Sequence, residues 1–175
     1  VFTFTAHYDV NIARYLTQQV QKSVSKTAEA DSTVTEATPP APPVHGKVVR
    51  LMQPLRYGEN PHQQAALYVD AFGPAPLWKV LQGKELSYNN ILDLTAAIAL
   101  LRTFPTAKPG AVIIKHLNPC GAAIKDSLTR APEAAKQGDP RSHFGGVVGF
   151  TEEVTADVAQ SVTDDFAEIV VAPSF

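Results

Sequence analysis

Between Ser23 and His45 the chain is built mainly from Ser, Thr, Ala and Pro, with Pro39, Pro40, Pro42 and Pro43 crowded together. Such a stretch buries little, and its prolines favour extended polyproline geometry, so it reads as a linker. It divides the chain. On its N-terminal side only one element fits: Tyr8, Ile12, Tyr15, Leu16 and Val20 recur at helical spacing between Thr5 and Lys22, with Thr5 as the cap. One helix makes no domain, so this segment reads as the tail of a domain whose body lies elsewhere. The missing initiator Met leads to the same expectation, that the natural chain begins further upstream. Val1 to His7 has no basic-then-apolar leader pattern.

Beyond the linker the pattern changes. Ala65–Val69 and Leu77–Leu81 read as short strands, and Asn90 is placed to cap a helix over Ile91–Phe104. Ala111–Lys115 is a continuous apolar run ending in a charge, as in a buried strand. Ser127 or Thr129 opens a helix that stops near Gly138; Val147–Phe150, Thr155–Phe166 and Ile169–Ala172 read as strand, helix and strand. Strands alternating with helices predict an α/β layer with a largely parallel sheet. At 175 residues, with 45% hydrophobic and 18% charged, the chain is large and apolar enough for a proper core.

Charge and composition exclude several classes. A net charge of -2 leaves no basic excess to neutralise phosphates, so a nucleic-acid partner is not expected. Lys and Arg form no polybasic patch, and no apolar stretch reaches the roughly 20 residues of a membrane span. Cys120 is the single cysteine, which rules out an internal disulfide and fits a cytoplasmic location.

Three segments are too polar and too oddly composed for folding alone: Leu55 to Gln63, Lys115 to Gly121, and Asp139 to Gly146. In the second, a strand ending in Lys115-His116 runs at once into Asn118-Pro119-Cys120-Gly121. In open α/β sheets ligands gather at the carboxyl ends of strands. Pro119 suits the first turn of a following helix, whose free N–H groups would receive an anion or a carbonyl. His is the usual general base near neutral pH, and a neighbouring ammonium stabilises developing negative charge. Neighbours on an extended strand point opposite ways, so both reach one substrate only where the backbone turns, a turn the Asn-Pro would make. The plainer alternative makes Lys115 a solvated strand end and His116 a satisfied core histidine.

In the first segment Arg56 can fork onto a phosphate or carboxylate, and Tyr57 offers a ring face and a hydroxyl. The alternative is a polar loop whose Arg caps a helix end. In the third, Phe144 precedes Gly145-Gly146, which lets backbone approach a ligand; the alternative is a simple strand-entry turn. Pro119-Cys120 invites comparison with the zinc deaminases, but position 123 is Ala and no His-x-Glu occurs, so a zinc site lacks most of its ligands. Cys120 reads as a small buried residue.

Taken together, Arg56-Tyr57-Gly58-Glu59-Asn60-Pro61-His62-Gln63, Leu86-Ser87-Tyr88-Asn89-Asn90, Lys115-His116-x-Asn118-Pro119-Cys120-Gly121, Ser142-x-Phe144-Gly145-Gly146 and Glu168-Ile169-Val170-Val171-Ala172-Pro173 resemble one family. It is the bifunctional purine-biosynthesis family with AICAR formyltransferase and IMP cyclohydrolase activities. Thr5-Ala6-His7-Tyr8-Asp9 resembles the end of that family's cyclohydrolase domain. The resemblance implies that residues 1–22 are the cyclohydrolase tail, 23–46 a linker, and 47–175 the first half of the formyltransferase domain. It implies a cytidine-deaminase-like layered α/β subdomain without zinc, in a homodimer whose formyltransferase sites lie between subunits.

The implied reaction moves a formyl group from the co-substrate 10-formyltetrahydrofolate to the 5-amino group of the AICAR nucleotide, with no metal. His116 would be the proton acceptor and Lys115 the transition-state stabiliser. Arg56 and Tyr57 would hold the nucleotide, Gly145 and Glu168 would line its pocket, and Phe144 and Asn118 would complete the substrate-binding set. His143 stands where the family usually has a small residue, which bears on the Phe144 loop. The competing reading is a nucleotide-binding and dimerisation fragment, inactive alone.

Overall fold

A computed structural model of the chain describes residues 1–28, 45–74 and 78–175. They divide into two compact units, Val1–Pro54 with Ala66–Gln82, and Leu55–Ala65 with Gly83–Phe175.

The first unit holds helix α1 (Phe2–Ala28) and most of a two-stranded sheet formed by β1 (Val49–Leu55) and β2 (Ala65–Asp70). Thr5 does not cap α1. It lies inside the first turn and donates its hydroxyl to the Val1 carbonyl at 3.2 Å, a bond that lets Thr sit within a helix. The helix also continues past Lys22 to Ala28, taking in the first residues assigned to the linker; residues 29–44, with the proline cluster, lie outside the described residues. After β2, the Phe72 ring meets Phe4 edge-on at 5.9 Å and His7 at 4.4 Å. The strand expected over Leu77–Leu81 does not form: residues 78–81 have no regular structure, and Leu77 lies outside the described residues. Val80 and Leu81 are exposed, and a short apolar run without a partner strand has no ladder to join.

The second unit carries α2 (Tyr88–Leu101), β3 (Gly110–Lys115), β4 (Asn118–Ile124), a 3-10 turn (Leu128–Arg130), α3 (Ala131–Lys136), β5 (Val147–Phe150), α4 (Ala156–Thr163) and β6 (Ile169–Val171). Its four strands run in the order β4-β3-β5-β6. The sheet is mixed, not largely parallel: β3 is antiparallel to both β4 and β5, and β5 with β6 is the parallel pair. A two-residue connection between β3 and β4 permits only an antiparallel hairpin, because a parallel return needs a long crossover. Pro119 therefore opens no helix; it lies in β4. It is tolerated there because β4 is an edge strand and the register shifts between Ile113 and Ile114, a bulge beside the proline.

Alternation along β3 supplies both cores. Ala111 and Ile113 pack with Leu128, Ala131, Ala135, Phe150, Val158 and Val162 on the face covered by α3 and α4. Val112 and Ile114 pack with Ala97, Val147, Leu101 and Phe104 on the α2 face. A strand covered on both sides needs apolar residues throughout, which is why β3 reads as an unbroken apolar run. Gly121 is required by this layering: a Cβ on it would run into the Ala135 carbonyl of α3. Helix starts differ from expectation by their caps. The N-cap of α2 is Ser87, whose hydroxyl accepts the Asn90 N–H at 3.3 Å while Asn90 Oδ1 accepts the Ser87 N–H at 3.0 Å; Asn90 is the third helical residue of a capping box. Ser127 begins only the 3-10 turn, and α4 ends at Thr163, short of Phe166.

Candidate functional site

All the candidate residues belong to the second unit. Lys115 ends β3, and the chain reverses at once through His116 and Leu117, whose φ angles are 53° and 65°. Left-handed backbone at both central residues marks a tight hairpin turn, normally built from Asn-Gly. Placing side-chain-bearing residues there costs roughly 1–2 kcal/mol each. The surroundings hold the turn. The Leu117 N–H donates to Asp93 Oδ1 on α2 at 2.7 Å, and the Asn118 side-chain amide donates to the His116 carbonyl at 2.8 Å. A hydrogen bond to a charged group contributes about 1.5–3 kcal/mol, comparable with the strain. The turn thus precedes Asn118-Pro119 instead of being made by it, and strand alternation is broken at His116 itself. His116 is exposed, neither core histidine nor strand residue. Lys115 is half-buried, and its ammonium donates to the Phe144 carbonyl at 2.8 Å, so it is not simply a solvated strand end.

That bond joins the second and third segments. Asp139 Oδ1 accepts the Arg141 and Ser142 N–H groups, both at 3.0 Å. The Ser142 hydroxyl, then these backbone bonds, hold the Asp139 carboxyl below the usual carboxylate range. His143 turns inward. Its Nε2 lies 3.5 Å from Asp165 Oδ2, the oxygen that Lys136 reaches at 2.6 Å, and its Nδ1 is buried with no hydrogen-bond partner. Phe144 stays exposed with its ring 5.8 Å from that of Phe166. Gly145 has φ 72° and donates its N–H to the Phe166 carbonyl at 2.7 Å, a conformation that glycine adopts without cost. Glu168 then donates its N–H to the Gly146 carbonyl at 3.0 Å.

The first segment pairs with the approach to α2. The Arg56 N–H donates to the Leu86 carbonyl and the Tyr88 N–H to the Tyr57 carbonyl, both at 3.2 Å. The Arg56 guanidinium lies 5.0 Å from the Tyr57 ring centroid and donates to its hydroxyl at 3.3 Å. This is a cation–π contact, not a helix cap, and Arg56 remains exposed.

Helix α2 ties these pieces together. Asn89 Nδ2 donates to the Glu59 carbonyl at 3.3 Å, Asn90 Nδ2 donates to Glu168 Oε1 at 3.4 Å, and Asp93 holds the His116–Leu117 turn. None of these three side chains is among the site residues expected from sequence, where Asn90 is read only as a helix cap. Asp93 lies off the apolar stripe of Ile91, Leu94, Ile98 and Leu101, where a carboxylate is ordinary, so nothing in the sequence marks it. Lys115 lies at the carboxyl end of β3, whereas Asn118 starts β4 and Glu168 precedes β6. The site edge therefore combines the end of β3 with the beginnings of β4 and β6, unlike the carboxyl edge of a parallel sheet.

Cys120 lies half-buried against the α3 core, and burial, followed by Asp139, pushes its thiol up despite the opposing Lys115. A thiol shifted that way is a poor nucleophile. Among the described residues, no three His, Cys, Asp or Glu side chains converge as metal ligands, and no helix is long and apolar enough to cross a membrane.

The whole chain, residues 1–175, matches the family described as the AICARFT/IMPCHase bienzyme. It is similar to the bifunctional purine biosynthesis protein PurH of Oceanobacillus iheyensis, 46% identical over 178 residues that cover 100% of this chain and 31% of the relative. The corresponding protein of Myxococcus xanthus is 44% identical over 99% of this chain and 31% of its own length. That of Chloroflexus aurantiacus is 49% identical over 88% and 30%. The chain thus spans about a third of the length of these relatives, 30–31%. The match runs from the first helix through every segment of the candidate site, and the chain belongs to the AICARFT/IMPCHase bienzyme family.

Proposed function

We propose that this chain supplies the nucleotide-holding and proton-transfer part of an AICAR formyltransferase in purine biosynthesis, within a longer polypeptide that also carries an IMP cyclohydrolase. In this reading α1 closes the cyclohydrolase domain, a linker follows it, and 47–175 form the first half of a cytidine-deaminase-like formyltransferase domain without zinc. The complete protein is a cytoplasmic homodimer with transfer sites between subunits, and the folate donor is held by residues outside this chain. The names of the PurH relatives and the family match support the pathway. The observation that carries the chemistry is the left-handed turn at His116-Leu117, with Lys115 anchored to the Phe144 carbonyl.

The amine of AICAR is aromatic and weakly nucleophilic, so it needs a base as it attacks. Its nitrogen bonds to the formyl carbon of 10-formyltetrahydrofolate while His116 takes the amine proton. The carbonyl electron pair moves to oxygen, where the Lys115 ammonium meets the new negative charge. Collapse reforms the carbonyl and breaks the carbon–N10 bond, and the departing nitrogen takes up a proton. Arg56, beside Tyr57, grips the nucleotide's anionic group, while Asn118, Phe144, Gly145 and Glu168 line its pocket.

Arg56 tests the nucleotide half of this reading. A forked guanidinium is poorly replaced by a point-charge ammonium. In titration calorimetry on the full-length protein, Arg56→Lys should weaken AICAR binding about tenfold or more and leave folate affinity within twofold. Equal losses for both ligands would contradict the assignment. A second reading, in which the chain alone binds nucleotide without turnover, is favoured by its 31% share of the relatives' length. Multiple turnovers by the isolated chain would exclude it.

A further inference from the structure

We infer that Asp93 is the positioning residue for His116: by accepting the Leu117 N–H at 2.7 Å it sets the left-handed turn that presents the imidazole. The inference rests on the reading of His116 as the base, and goes beyond it by saying what holds that base ready.

In a tight hairpin the flanking residues, here Lys115 and Asn118, face each other across the ladder. The amide of the second turn residue is directed away from that ladder and has no acceptor within the hairpin. Asp93 provides one from a different element, half-buried on α2 between Ile91 and Leu94, both buried in the core. The neighbouring φ angles of 53° and 65° belong to His and Leu, not to Asn and Gly, so turn chemistry alone does not favour this backbone. An outside bond must do so, and the carboxylate is placed to make it. The same helix holds Glu168 through Asn90 at 3.4 Å, so the base and a proposed nucleotide contact are referenced to one rigid element. The Asn118 amide on the His116 carbonyl fixes the turn from its other side.

A merely structural staple between α2 and the hairpin would affect stability alone. Positioning makes different demands. In the full-length protein, Asp93→Ala should lower kcat about a hundredfold, the scale on which a small misplacement of a reacting group acts, with KM for AICAR within about threefold. Asp93→Asn retains an acceptor oxygen and should recover most of the rate. Adding Leu117→Gly to Asp93→Ala removes a side chain that disfavours positive φ and should restore at least tenfold of the loss. Hydrogen exchange at the turn should quicken in Asp93→Ala and stay near wild type in Asp93→Asn, a readout independent of catalysis that covers a poorly folding variant. If Asp93→Ala keeps kcat within threefold while His116→Ala is inactive, the positioning role is overturned and the base assignment stands. If His116→Ala itself retains full turnover, the base assignment fails first, and the positioning claim with it.

Discussion

The Lys115 ammonium donates to the Phe144 carbonyl at 2.8 Å, joining the end of β3 to the loop that leads into β5. One bond thereby anchors the cation proposed to meet the transition-state charge and fixes the backbone beside Gly145. Removing it should act on chemistry before stability. Lys115→Met keeps the aliphatic stem and loses the charge, so kcat should fall by about 10²–10³, as for loss of an oxyanion donor. The melting temperature should move by only a few degrees. A variant with kcat within fivefold of wild type would remove Lys115 from the reaction.

Gly121 tests the layering that supports the site. A methyl group there meets the Ala135 carbonyl, which is backbone and cannot rotate aside. Gly121→Ala should therefore destabilise the domain by about 1–3 kcal/mol or more, as overpacking does. Denaturant unfolding of the full-length protein checks this. An unchanged midpoint for the transition of this domain would mean that α3 does not sit where the structure has it.

Part of the acid sensitivity should trace to Asp165. The hydrogen bond and charge of Lys136 hold its carboxyl below the ordinary carboxylate range, with His143 adding to the effect. A depressed pKa in the folded state contributes stability that is complete above the unfolded value, near pH 4. The contribution is lost as pH falls through the lowered value. The stability gap between wild type and Asp165→Asn should thus be present at about pH 5 and shrink below about pH 4. A gap that widened on acidification would contradict the assignment.

How far the sequence could be read depended on where each signal was kept. The apolar run Ala111–Lys115 was legible as a buried strand because both its faces are covered. Its direction relative to its neighbours was not, because the hairpin hinges on His116-Leu117, a pair with no turn propensity, held by Asp93 from another element. The start of α2 was misplaced by a few residues because both Ser87 and Asn90 belong to its capping box. The first two polar segments meet at α2 through Tyr88, Asn89 and Asp93, and the third joins the second through the Lys115 bond to the Phe144 carbonyl. Composition marked the segments; only three-dimensional contact could mark the helix that joins them. His143 shows the same limit: nothing in the sequence places its imidazole 3.5 Å from the Asp165 carboxylate, a contact made only in the fold.

The most direct test of the central claim is single-turnover formyl transfer by His116→Ala in the full-length protein, with AICAR affinity measured on the same sample. His116 lies exposed at the turn with its backbone held left-handed, a placement that suits a base and serves no packing role. The account predicts a fall of about 10²–10⁴ in the rate, the usual contribution of a general base, with nucleotide affinity within a few-fold of wild type. A rate within a few-fold of wild type at unchanged affinity would contradict it.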